Sequence, residues 1–120
     1  MVAANHKLET LRKRAEFLSV AASGKRWVAP GFILQVGKEH EPSPRIRYGL
    51  TASGKIGNAV VRNRARRRLR ALAAQILPQA SSEHDYVLVA RAPTPSCDYA
   101  SLQQELVKGL KQLKLWHRQA

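Results

Sequence analysis

The segment from Ala59 to Leu77, AVVRNRARRRLRALAAQIL, limits what this chain can fold into more than any other stretch. It places six arginines, Arg62, Arg64, Arg66, Arg67, Arg68 and Arg70, within nine consecutive residues. So dense a positive run repels itself, and a compact domain gains from it only through a partner of opposite charge. The segment is either a disordered basic tail or a helix with one charged side. At 100° per residue, Val61, Ala65, Leu69, Leu72 and Ile76 fall within about 80° of one another, a stripe wide enough to pack on a sheet. Arg62, Arg66 and Arg70 form a row beside the stripe, Asn63 and Arg67 face outward, and Arg64 and Arg68 take the other flank. The periodicity therefore predicts a docked helix with an arginine surface.

No carboxylate lies between Glu41 and Glu83, so no acidic residue one turn away can neutralise these arginines. Guanidinium groups also present planar forked donors that match phosphate oxygens, which solubility alone would not require. The whole chain carries 21 Lys and Arg against 8 Asp and Glu, a formal net charge of +13. That excess points to a polyanion, with nucleic acid ahead of an anionic membrane surface. Apolar residues make up 44% of the sequence, too many for a disordered polyelectrolyte. The first residues, MVAANHKLETLRKR, contain no apolar targeting core, and no apolar run of about 18 residues occurs. A soluble cytoplasmic protein with no membrane partner is expected. The lone Cys97 excludes an internal disulfide and a cysteine-rich metal site, and reads as an incidental thiol.

The 120 residues fit a single domain, 1–120, with a flexible polar arm over residues 1–9. A short helix is predicted from about Leu11 to Ala22, stopping at Gly24. Arg26–Val36 reads as a strand broken or bulged at Pro30–Gly31. A proline-rich polar turn leads to a second strand over Arg45–Ala52. Ser53–Gly54 ends that strand, and Asn58 can cap the arginine helix, whose first N–H groups could meet a phosphate. Asp85–Ala92 forms a valine-rich strand. Asp98 caps a final helix carrying Tyr99, Leu102, Leu106, Leu110 and Leu113 on one side. Tyr86 and Tyr99 are expected to pack. The order helix, strands, helix, strand, helix describes an α+β domain.

Nothing in the chain spells a protein active site. The carboxylates are scattered, with Glu39 and Glu41 in the proline-rich turn. His6, His40, His84 and His117 lack ligand spacing and are expected at the surface. No nucleophile motif or triad order is present. A protein-only nuclease would need clustered carboxylates to hold metal ions. A purely structural RNA-binding protein, such as a ribosomal protein, satisfies the same charge logic.

At GKIGNAVVRNRARRRLR the sequence resembles the protein subunit of bacterial ribonuclease P. That family is marked by a lysine–glycine loop, Ala-Val, then Arg-Asn-Arg and further basic residues on one helix. Lys55, Gly57, Ala59, Val60, Arg62, Asn63, Arg64, Arg67 and Arg70 fall on the pattern. The likeness extends to RKRAEF at Arg12–Phe17, Gly24, Phe32, Tyr48–Gly49 and DYVLVARAP at Asp85–Pro93, leaving only the termini outside it. It implies a two-layer α/β sandwich with a left-handed β-α-β crossover, like the second domain of ribosomal protein S5.

The resemblance also implies a subunit of a ribonucleoprotein endoribonuclease that removes the 5′ leader of precursor tRNA. Catalysis would then rest with the RNA, which chiefly holds the Mg2+, with no organic cofactor and no catalytic residue in the protein. The implied partners are the catalytic RNA, one protein to each, and precursor tRNA. Arg62, Asn63, Arg64, Arg66, Arg67 and Arg70 would contact the catalytic RNA. Phe17, Lys55, Arg62, Asn63, Arg66 and Arg91 would line a cleft for the leader. By composition alone Phe17 would be a core residue; the family pattern puts it on the cleft wall, where a base can stack. Ala21 and Gln35 stand where many or some relatives carry further aromatics, and Gly54 where some carry a second lysine. Such a cleft would lean more on charge and less on stacking.

Overall fold

The computed structural model describes residues 6–116. Five strands form one mixed sheet, flanked by three helices: β1 (Lys7–Thr10), α1 (Arg14–Ala22), β2 (Lys25–Val28), β3 (Phe32–Val36), β4 (Arg45–Thr51), α2 (Ala59–Ile76), β5 (Tyr86–Ala90) and α3 (Tyr99–Gln112). Their order across the sheet is β1-β4-β5-β3-β2. β4 and β5 run parallel as neighbours with α2 between them in sequence, so the arginine helix is itself the crossover. β1 adds parallel to the outer side of β4, while β2, β3 and β5 pair antiparallel.

Alternation along the strands divides the apolar residues between two faces. Phe32, Leu34 and Val36 of β3, Ile46 and Tyr48 of β4, and Tyr86, Leu88 and Ala90 of β5 enter the main core. Against them α2 buries Ala65, Leu69, Leu72, Ala73 and Ile76, and α3 buries Leu102, Leu106 and Leu110. Of the predicted stripe only Val61 stays half-buried, packed on Gly57, whose φ of +148° suits glycine. Sheet and α2–α3 layer make the two-layer sandwich. On the opposite face α1 covers a smaller cluster of Leu11, Val20 and Val87, joined by Phe17 and Val89.

Four expectations need correction. Residues 7–9 of the anticipated arm belong to β1, because Leu8 aligns with Ile46 and reaches the core while Lys7 and Glu9 stay exposed; residues 1–5 lie outside the described part. The first helix begins at Arg14, three residues late, because the Leu11 N–H extends the ladder by donating to the Tyr48 carbonyl at 2.7 Å. Pro30–Gly31 is a full reversal between two antiparallel strands, with the Ala29 N–H donating to the Phe32 carbonyl at 2.9 Å. His84 is buried, its Nδ1–H donating to the Gly37 carbonyl at 2.8 Å; His117 lies outside the described residues.

Trp27, to which the sequence assigned no role, seals the seam between β2 and α3. Its indole lies against Gly109, where an added Cβ would stand 2.6 Å from the ring Cγ. Gly109→Ala gains about 1 kcal/mol of helix propensity but must displace the indole, an overpacking cost of about 1–3 kcal/mol. A net loss is expected, read as a lower urea midpoint with unchanged slope. A higher midpoint would show that the seam has slack.

Candidate nucleic-acid interface

The start of α2 is set by local chemistry. Asn58 Oδ1 accepts from the Val61 N–H at 3.0 Å, and Ser53 Oγ accepts from the Lys55 N–H at 3.3 Å in the short turn Gly54–Ile56. Arg62 closes back on that turn, leaving its Nη1 3.5 Å from where a Cβ on Gly54 would sit. Lys55 and Arg62 thus belong to one basic corner at the head of the helix.

Along α2 the arginines divide into three roles. Arg64, Arg67 and Arg70 are exposed, as is Asn63. Arg62 and Arg66 are half-buried, and Arg66 donates to Asn63 Oδ1 at 3.3 Å and to the Ala52 carbonyl at 3.4 Å. Arg68 is withdrawn from the basic surface. It donates to the carbonyls of Pro95 and Cys97 and lies 5.8 Å from the centroid of the Tyr99 ring, clamping the loop that leads into α3. Among the described residues, no α2 arginine is paired with a carboxylate. Five guanidinium groups therefore carry charge that no carboxylate among the described residues compensates.

Beside this surface a concavity of about 270 Å³ opens where β1 ends and α1 begins. Phe17, Leu11 and Gly49 line it together with Arg66 and Arg70. Phe17 is half-buried, with its ring directly over Gly49; a Cβ there would come within 2.6 Å of the ring Cζ. Glycine at this rung of β4 is what lets the aromatic lie against the sheet. The structure thus brings Phe17 and Arg66 to one concavity and adds Arg70 to its lining. Lys55, Arg62, Asn63 and Arg91 do not line this concavity. Arg91 sits at the end of β5, its Nη1 donating to the Ala29 carbonyl at 2.6 Å.

From the concavity the floor continues across the sheet. Val28, Ile33, Val89 and Thr51 are register partners in sequence, Val28↔Ile33, Ile33↔Val89 and Thr51↔Val89, so their side chains share one face. None of the four is buried, and Val28 is 53% exposed. Together they form a largely apolar strip from the β2 edge toward the N-terminal end of α2, ending beside the carbonyl that Arg66 binds. Sequence reasoning missed this strip. Its signal was present in the strands, where apolar residues occupy the alternate positions as well as those the core uses.

Carboxylates gather at the other end of the parallel strands. Glu39, Glu41 and Glu83 share one shallow depression, and His40 Nε2 lies 3.2 Å from Asp85 Oδ1. Gly37 N–H to the Asp85 carbonyl, at 2.8 Å, ties this loop to the start of β5. Glu16 lies on α1. Its Oε1 accepts from the Arg12 and Lys13 N–H groups at 2.9 Å each, and its Oε2 pairs with Arg47.

Comparison with known proteins follows the same outline. The Ribonuclease P family pattern matches residues 6–114. The ribonuclease P protein component of Paramagnetospirillum magneticum is 45% identical over 111 residues, covering 89% of this chain and 84% of that one. That of Bacillus cereus is 36% identical over 114 residues, covering 90% and 97%. Among solved structures, the ribonuclease P protein of Thermotoga maritima superposes with a TM-score of 0.71 at 24% identity, over 87% of this chain and 96% of that one. The Staphylococcus aureus protein gives 0.69, also at 24%, over 90% and 97%.

Hydrogen bonds from the Lys13 and Arg12 backbone, with Arg47 nearby, hold the Glu16 carboxyl below its ordinary value. A depressed folded value means the carboxylate's contribution to stability is complete above the unfolded value and is lost as pH falls through the folded one. The urea midpoint of the wild type should therefore exceed that of Glu16→Gln at pH 7, and the gap should close on acidification. A gap independent of pH would assign the difference to shape alone.

Proposed function

Because the chain belongs to the ribonuclease P protein family, we propose that its concavity and apolar strip hold the single-stranded 5′ leader of precursor tRNA while α2 grips the catalytic RNA. The chain is a protein component of the ribonucleoprotein endonuclease ribonuclease P and acts with its RNA subunit in processing the tRNA 5′ leader. The finer assignment rests on one observation: Phe17, Arg66 and Arg70 surround a single concavity. An aromatic surface for a base and guanidinium groups for phosphates, lining one concavity, are the two elements that single-stranded nucleic acid requires. The exposed Arg64 and Arg67, with Asn63, face away from the stripe and suit phosphates of the RNA subunit. Arg62 and Lys55 sit between the two surfaces and can serve either strand.

Cleavage draws on Mg2+ that this reading places on the RNA. Among the described residues no group of three His, Cys, Asp or Glu side chains is placed to hold a metal ion. What this chain supplies is positive charge and a shaped groove, which lower the ion concentration the RNA needs. One protein per RNA, working in the cytoplasm, completes the proposal; no described helix is long and apolar enough to cross a membrane.

Replacing Arg62, Arg66 and Arg70 together by Ala should weaken catalytic-RNA binding and flatten its salt dependence, each lost phosphate contact removing roughly 0.7–0.9 from the log–log slope. An unchanged slope in a folded variant would mean that this row is only solvated.

Phe17→Ala, in enzyme reconstituted with its RNA at low Mg2+, should weaken precursor tRNA binding by about 1–3 kcal/mol and leave mature tRNA, which lacks the leader, nearly unaffected. Because the ring is only half-buried in a small cluster, its loss should cost less than the roughly 3–5 kcal/mol of a core phenylalanine. Equal loss for both tRNAs would refute the cleft.

A further inference from the structure

α1 is a nine-residue helix that fully buries one side chain, Val20, so packing alone holds it weakly. Its C-terminal end is tied to the sheet by Ser23, whose Oγ donates to the Val36 carbonyl. Its N-terminal end is tied by Glu16. One carboxylate oxygen takes the Arg12 and Lys13 N–H groups, closing the first turn, and the other meets the Arg47 guanidinium. Arg47 is in turn flanked by Asp85, whose Oδ2 lies 3.9 Å from Nη1, while Glu9, its register partner on β1, pairs with Arg45. An isolated exposed ion pair is worth little. This one fastens a helix terminus to a strand.

The spacing gives the pair its consequence. Arg47 and Gly49 are alternate residues on one face of β4, and Glu16 and Phe17 are successive residues of α1. The Glu16–Arg47 contact and the Phe17–Gly49 contact are therefore neighbouring rungs between the same helix and the same strand. We infer that Glu16 and Arg47 are positioning residues for the leader: their ion pair sets the first turn of α1 on β4 and so holds the Phe17 ring over Gly49 at the concavity. This rests on the leader-cleft reading above. A direct phosphate contact by Arg47 is the competing role. Its guanidinium lies between two carboxylates, which disfavours an anion there.

The two roles make opposite demands on Glu16. If Arg47 bound a phosphate, neutralising Glu16 would free it, and binding would hold or improve. If the pair positions Phe17, losing either partner has the same effect. The test uses the enzyme reconstituted with its RNA, with affinities for precursor and mature tRNA and the protein's melting temperature. Glu16→Gln keeps the N–H acceptor and loses the charge; Arg47→Met keeps the stem. Each should weaken precursor tRNA by about threefold to tenfold, short of removing the stacking surface, with mature tRNA unchanged. Arg47→Lys, which retains a cation, should recover most of the loss; if Arg47→Met does not fold, Glu16→Gln alone decides between the two roles.

In a Phe17→Ala background neither change should weaken precursor binding further. A loss at Arg47→Met without one at Glu16→Gln, or a loss that persists without Phe17, would overturn the inference. So would equal losses for the two tRNAs. If Phe17→Ala is leader-selective while both partner variants are silent, the positioning role fails and the cleft stands. If Phe17→Ala is not leader-selective, the cleft and the inference fall together.

Discussion

The docking of the α2 stripe on the sheet is the interaction from which the rest of the molecule follows. Leu69, Leu72 and Ile76, each worth about 1.5–3 kcal/mol when buried, sit against strands β4 and β5. Because α2 is the crossover between those two strands, the same contact brings them side by side in parallel and sets the register of Tyr48 with Tyr86 and Thr51 with Val89. It is also what makes the dense charge tolerable. With the apolar side committed inward, the arginines are spread along one rigid edge, and their repulsion is not relieved by unwinding the helix.

Arg68 and Arg64 show how finely position along this helix decides a side chain's use. Both lie on the same flank by sequence, yet Arg68 reaches the loop before α3 and spends its donors on two backbone carbonyls and the Tyr99 ring. Arg64, one turn earlier, has no such loop above it and stays exposed. Counting arginines overstates the charge available to a partner, and the difference comes from a tertiary neighbour that no local pattern reveals.

The helices were legible in the sequence because their signals are local: a stripe at 3.6 residues, Asn58 and Asp98 as caps, Gly24 in the left-handed region with φ +80°. The misses share a different cause. β1 has a single inward residue, Leu8, and exists because the edge of β4 is there to pair with it. His84 is buried because a carbonyl from residue 37 meets it, a contact across the sheet. The same holds at the site. Phe17 could be named from the family pattern, whereas the strip of Val28, Ile33, Val89 and Thr51 comes from four strands and depends wholly on register. Gly49 would read as an ordinary strand glycine until Phe17 is seen resting on it.

The carboxylates around Glu83 and Asp85 at the start of β5 offset the lysines and arginines of that end, while the guanidinium groups of Arg66 and Arg91 stand near the finish of β4 and β5, so the positive charge is unevenly distributed over the molecule. A body with separated charge experiences a torque in the field of a polyanion, before any atom touches. Such a field favours an approach with the less basic end outward and the arginine helix inward. Where the few acidic residues of so basic a chain stand, and not only their number, therefore shapes the field a polyanion meets.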